Sequence, residues 1–268
     1  MSILGTDRTE VDMVGSTLSR FKINIVYQKD GWILPQIAAN LANEIVCCGL
    51  SETADPEADI NLYVNYHLFS LLGSKKTNFD VGFFTHKEPA GSFDQIASSL
   101  DHCIGMSLKT YDLLPRNKRS VLSPMGADTE LFKNKELTIG VVARDYPGGR
   151  KGLDILHKLS EINGVIIKVT GGRLDKNQLV DFYDSIDYML VTSTLEGGPI
   201  PVLESLLLNK PIIAPDVGWC WDFPVVKYSS YNELVSIISK LASPIKSWKD
   251  SANELVKILE EAYEGKQK

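Results

Sequence analysis

An arginine, a lysine, two glutamates and the glycines between them are the residues of this sequence best suited to chemistry. The first group is Gly140-Val-Val-Ala-Arg144 followed by Gly148-Gly-Arg-Lys151-Gly152. An arginine at a strand end and a lysine at a helix start can converge on a diphosphate, with loop amides adding donors. Taken singly, the same residues describe any strand-to-helix loop with two surface cations. The second group is Thr194-Leu-Glu196-Gly-Gly-Pro-Ile-Pro-Val-Leu-Glu204. Gly197 and Gly198 let the chain approach a ligand closely, and Pro199 or Pro201 starts a helix whose first amides suit an anion. Glu196 falls on the loop and Glu204 one turn inside the helix. A carboxylate accepts two hydrogen bonds from vicinal hydroxyls, so the pair can grip two different sugars. Two lone glutamates also read as a capping residue and a solvent-facing one. The third group is Ala214-Pro-Asp-Val-Gly218-Trp, a turn at the carboxyl end of a strand, the edge where open α/β sheets bind ligands.

The elements that must position these groups alternate along the chain. Strands are predicted at Lys22–Tyr27, Ile45–Cys48, Ile60–Val64 and Val81–Phe84, and helices at Ile33–Glu44, Ser92–Leu100 and Ser107–Leu114. Two of these helices open on serine, a favoured N-cap, and the short apolar stretch Cys103–Ile104 separates them. The stretch 123–128 is turn chemistry. The alternation restarts with strand Leu137–Ala143, helix Gly152–Leu159, strand Val165–Thr170, helix Lys176–Tyr183, strand Tyr188–Thr192, helix Pro201–Leu208 and strand Pro211–Ala214. Helices at Tyr231–Leu241 and Trp248–Tyr263 close the chain, the last with apolar positions Leu255, Ile258 and Leu259. Such alternation implies α/β architecture with parallel sheets. The expected domains are 1–130, 131–245 and a terminal helix over 246–268.

At 268 residues the length suits one large or two small domains, and at 44% hydrophobic the chain has ample material for a core, which excludes a disordered, fibrous or disulfide-stapled protein. A net charge of −6 argues against a general polyanion binder. The one stretch with a clear positive excess, 133–176, surrounds the glycine-rich turns. Cys47, Cys48, Cys103 and Cys220 have no zinc-binding spacing and read as reduced thiols. The polar start lacks a signal-peptide core and no apolar run is long enough for a membrane span, so the expected location is cytoplasmic, in a bacterial or an infected-host cell. No DxD motif sits at a strand end, so no metal site is expected. A hydride-transferring Rossmann enzyme is disfavoured, because Gln28-Lys-Asp-Gly-Trp stands after the first strand where GxGxxG belongs. His67, His102 and His157 have no companions and read as structural.

In this order and spacing, residues 120–220 closely resemble the donor-binding half of the retaining GT-B glycosyltransferases, the large family that includes glycogen synthase-like, sucrose synthase-like and lipopolysaccharide enzymes. The resembling stretches are SPMGADTELF (123–132), GVVARDYPGGRKGLDIL (140–156) and 169–218, which carries the E-x7-E motif as Glu196 and Glu204. The resemblance implies two Rossmann-like domains facing each other across a cleft, with the terminal helix crossing back to the first. It also implies a nucleotide diphosphate sugar as co-substrate, a UDP-sugar by expectation, and no other cofactor. Arg144 and Lys151 fall where the family contacts the diphosphate, Glu204 where the ribose is held, and Glu196 where the transferred sugar is held. Gly171, Gly197, Gly198, Pro199 and Ile200 match donor-facing positions, Pro199 replacing a residue that is commonly glycine or a bulky apolar one. In the first half, His86 at a strand end matches a histidine near the transferred sugar. Asp30 and Trp32 stand in the place of the family's first loop, where they would meet the acceptor.

The acceptor implied by the family is a glycan or glycoconjugate. The alternative is a hydroxymethylated DNA base, with Lys75, Lys76, Arg116, Lys118 and Arg119 as candidate phosphate contacts, although basic pairs of this kind usually read as solvated surface. A silent nucleotide-sugar-binding module is a further alternative, disfavoured by the presence of all four of Arg144, Lys151, Glu196 and Glu204. The oligomeric state has no signature in the sequence.

Overall fold

The computed structural model describes residues 17–31, 33–71, 77–88, 91–116, 120–144 and 148–267. The chain divides into two compact units, one built from the chain up to Lys133 and from Ile245 onward, the other from Asn134–Pro244.

The first unit contains β1 (Thr17–Val26), α1 (Leu34–Glu44), β2 (Ile45–Ser51), β3 (Ile60–Tyr63), α2 (His67–Leu71), β4 (Asp80–Phe84), α3 (Phe93–Ser99), β5 (His102–Gly105), α4 (Leu108–Tyr111) and β6 (Ser120–Leu122). Its six strands run parallel in the order β2-β1-β3-β4-β5-β6. Strands β3, β4 and β5 are buried throughout, which is why Ile60–Tyr63 and Asp80–Phe84 read as near-continuous apolar runs rather than alternating ones. The short apolar stretch Cys103–Ile104 lies in strand β5, paired with β4 and β6. The predicted helix 107–114 shortens to the single turn α4, where the Ser107 side chain accepts from the Thr110 amide. Ser92, by contrast, makes no side-chain cap.

The second unit contains β7 (Leu137–Val141), α5 (Ile155–Ser160), β8 (Val165–Val169), α6 (Lys176–Asp184), β9 (Tyr188–Leu190), α7 (Ile200–Leu207), β10 (Ile212–Ala214), β11 (Val226–Lys227) and α8 (Tyr231–Ala242). These five strands are also parallel, in the order β11-β10-β9-β7-β8. One face of the sheet packs Leu156, Leu159, Leu234 and Ile238 from α5 and α8. The other packs Tyr183 and Val202 from α6 and α7. The start of α6 has a local cause: Asp175 and Gln178 form a reciprocal capping box. The helix predicted from Gly152 begins three residues later, because Gly152 sits at φ +58°, outside the helical region.

The last helix, α9 (Trp248–Gln267), belongs to the first unit. Its apolar positions Ala252, Leu255, Val256 and Leu259 recur at helical spacing and join the core formed by β1 and α1. Arg20 on β1 holds Glu260 through its backbone amide at 2.7 Å and its guanidinium at 3.0 Å and 3.1 Å. Both units are therefore parallel α/β sheets with helices on both faces, the Rossmann-like arrangement.

Candidate functional site

In the second sheet, strand order reverses between β7 and β9: β8 lies to one side, and β9, β10 and β11 to the other. The crevice beyond the carboxyl ends of strands at such a reversal is where these sheets take ligands. A cavity of about 200 Å³ opens there, lined by Ala143, Lys151, Thr192, Ser193, Glu196, Gly198, Pro199 and Ile200 among others.

The loop after β7 is stitched to the loop after β9. Thr194 N–H donates to the Arg150 carbonyl at 2.8 Å, and Thr192 Oγ1 donates to the Lys151 carbonyl at 2.5 Å. Gly152 makes this approach possible, since a Cβ there would run into the Thr192 carbonyl. The result is that Lys151 Nζ meets Glu196 Oε1 in an ion pair whose side chains are only 18% and 16% exposed. Burial works against the charge on Glu196, but the Lys151 ammonium and the Ser193 hydroxyl outweigh it and hold the carboxyl below its ordinary range. Lys151 is thus not at a helix start; it sits in a turn, and α5 begins at Ile155.

Glu196 is followed by the close-packed turn that carries α7. A Cβ on Gly198 would lie 2.5–2.6 Å from the Trp219 ring, so that ring covers the glycine directly. Pro199 is the N-cap of α7 and Pro201 stands in its first turn. Prolines have no N–H and the Val202 amide bonds back to Pro199 O. The amides at this end that can face a ligand are therefore those of Gly197, Gly198 and Ile200.

The remaining sequence-predicted residues are placed differently. Glu204 does not line the cavity; it lies in the second turn of α7, half-buried, and its Oε2 accepts from Tyr183 Oη at 2.7 Å. Arg144 is exposed just beyond β7, with its stem over Gly172, where a Cβ would come within 2.6 Å of the Arg144 Cβ. Gly171 takes φ +64° in the exposed turn after β8 and does not reach the cavity. In the first unit, strand order reverses between β1 and β3, and exposed Asp30 follows β1 at that point. His86 follows β4, is 62% exposed, shares a hydrogen bond with Thr85 Oγ1 at 2.7 Å and places Nε2 3.5 Å from Glu88 Oε1. Trp32, Lys75, Lys76, Lys118 and Arg119 lie outside the described residues. Arg116 pairs with Asp112 at 3.3 Å.

Sequence reasoning missed Thr192, Ser193 and Tyr183, and it quoted Trp219 in the third group without giving it a role. The first two carried a usable signal, standing at the carboxyl end of a predicted strand. Among the described residues no cluster of His, Cys, Asp or Glu could hold a metal ion, and no helix is long and apolar enough to cross a membrane. None of the four cysteines forms a disulfide.

No family model and no curated protein sequence matches the chain. It is similar to solved structures of Anabaena HepE (Alr3699) in complex with UDP, at 12% identity and TM-score 0.33 over 94% of this chain and 99% of that one. It is also similar to sucrose-phosphate synthase from Thermosynechococcus elongatus, at 14% identity and TM-score 0.32 over 78% of this chain and 72% of that one. A third is the lipopolysaccharide outer core galactosyltransferase WaaB, at 12% identity and TM-score 0.32 over 91% and 98%.

Proposed function

We propose that the protein is a GT-B glycosyltransferase of the retaining kind. It would move a sugar from a nucleotide diphosphate sugar, a UDP-sugar by expectation, to an acceptor hydroxyl on a glycan or glycoconjugate. The observation that carries this reading is the Lys151–Glu196 pair at the strand-order reversal of the second sheet, on the loop that leads into α7.

The roles follow from charge and position. Departure of a nucleoside diphosphate develops negative charge, and a lysine already held largely buried by its pair with Glu196 stabilises it with little reorganisation. Arg144, beyond the neighbouring end of β7, adds a second cation at the diphosphate, and the Gly197, Gly198 and Ile200 amides add donors. Between them these groups supply the neutralisation that a metal supplies in other transferases. Glu196, oriented by Lys151, accepts from hydroxyls of the transferred sugar, and Glu204 accepts from the ribose. No side chain is assigned as nucleophile: the departing phosphate takes the acceptor proton on the face it leaves, so catalysis is positioning and electrostatics.

The test is transfer and donor hydrolysis across a panel of nucleotide sugars with oligosaccharide and hydroxymethylated-DNA acceptors, the product anomer being read by NMR. The reading expects one donor to be consumed and its anomeric configuration kept in an oligosaccharide product. An inverted product removes the retaining assignment, product on DNA alone moves the acceptor, and consumption of no donor removes the enzyme reading.

A further inference from the structure

Tyr183 carries a buried hydroxyl aimed at Glu204, a residue of the proposed nucleotide site, and has no place in the reading above. It sits near the end of α6, 1% exposed, in the core layer that also contains Ile186, Met189 and Val202. From there Oη donates to Glu204 Oε2 at 2.7 Å, linking α6 to the second turn of α7. Burial raises the phenol's pKa far above its ordinary value, so the hydroxyl stays protonated and keeps its role as donor.

We infer that Tyr183 is a positioning residue that fixes the Glu204 carboxylate for a nucleoside diphosphate, an inference that rests on the assignment of Glu204 to the ribose. A glutamate side chain has several rotatable bonds, and holding it in one geometry costs rotamer entropy whenever a ligand arrives. Tyr183 meets that cost in the folded protein. Its bond occupies one lone-pair direction of Oε2 and leaves Oε1 to the ligand, so the carboxylate is presented in a single orientation. The tyrosine is itself locked, because its ring is packed in the core and cannot turn away. Phenylalanine at this position keeps the ring and removes only the donor.

The experiment is calorimetric titration of the full chain with UDP, GDP and ADP, the tightest of the three carrying the comparison, for wild type, Tyr183→Phe, Glu204→Gln and the double variant. Unfolding midpoints are measured alongside. Tyr183→Phe is expected to weaken binding about 3- to 10-fold, the size of one net hydrogen bond. Because it acts through Glu204, the double variant is expected to bind no more weakly than Glu204→Gln alone. A purely structural tie between α6 and α7 would lower the midpoint and leave affinity unchanged, which overturns the inference. Losses that add in the double variant overturn it as well, since Tyr183 would then act independently of Glu204. If Glu204→Gln binds as wild type does, or wild type binds none of the three, the assignment of Glu204 fails and the inference falls with it.

Discussion

Replacing Gly152 with alanine tests the geometry that brings the site together. Two costs coincide there. Gly152 has φ +58°, which burdens an L-residue by roughly 1–2 kcal/mol. Its added Cβ would also collide with the Thr192 carbonyl and lie 3.5 Å from the Thr192 Cβ, so backbone must move. Overpacking of this kind adds about 1–3 kcal/mol, giving roughly 2–5 kcal/mol in all. Gly149 supplies the control: its φ is +66° but nothing lies within 4 Å of its would-be Cβ, so Gly149→Ala carries only the backbone cost. Native-state hydrogen exchange at the Val191 amide, bonded to Ile213 O inside the second sheet, reads the stability of that unit alone. The two variants are expected to differ by about 1–3 kcal/mol, and only Gly152→Ala should release Lys151 from Glu196 and lose nucleotide affinity. Equal destabilisation by the two, or a Gly152→Ala variant as stable as wild type, would refute the close approach as the organising contact.

Gly198→Ala should destabilise the second unit by about 1–3 kcal/mol and shift Trp219 fluorescence, whereas Gly197→Ala, with nothing within 4 Å, should be close to neutral in an unfolding titration. The Glu196 carboxyl titrates below its ordinary range in the folded state, so its contribution is complete above the unfolded value of about 4.3 and is lost as pH falls through the lower folded value. The stability difference between wild type and Glu196→Gln should accordingly be flat above pH ~5 and shrink below pH ~4; parallel pH profiles for the two would refute the ion pair's role. Arg144→Ala is expected to lower kcat/KM about 10- to 100-fold in a donor-hydrolysis assay while changing stability by less than about 0.5 kcal/mol, because Arg144 is exposed. Lys151→Ala should lower both activity and stability, since it strips the partner from a largely buried carboxylate.

Much of the architecture is legible in the sequence because parallel strands covered on both faces are mostly apolar: Leu137–Val141 is buried at every position and only Thr138 in it is polar. What escaped is short or peripheral. Strand β6 is three residues of intermediate burial at the sheet edge, and β11 is two exposed residues, so neither has a hydrophobic pattern to read. The start of α5 escaped because Gly152 reads as a plausible helix opening until its φ is known. In the site, the glutamates and cations are legible as types at spacings, but their partnerships are not. Lys151 and Glu196 lie 45 residues apart and meet only because Thr192 and Thr194 bind the backbone of the loop after β7. The Tyr183–Glu204 bond depends on α6 and α7 packing on the same face of the sheet, a fact of strand order rather than of local pattern.

The central claim is that the crevice between β7 and β9 holds the diphosphate of a nucleotide sugar against Lys151. Equilibrium titration of the full chain with a nucleoside diphosphate and with the matching free nucleoside, for wild type and Lys151→Met, tests it most directly. Wild type should bind the diphosphate well above the nucleoside, and Lys151→Met should lose about 10-fold or more in diphosphate affinity with nucleoside affinity unchanged. Equal diphosphate affinity in the two proteins, or no preference for diphosphate over nucleoside in wild type, would contradict the claim.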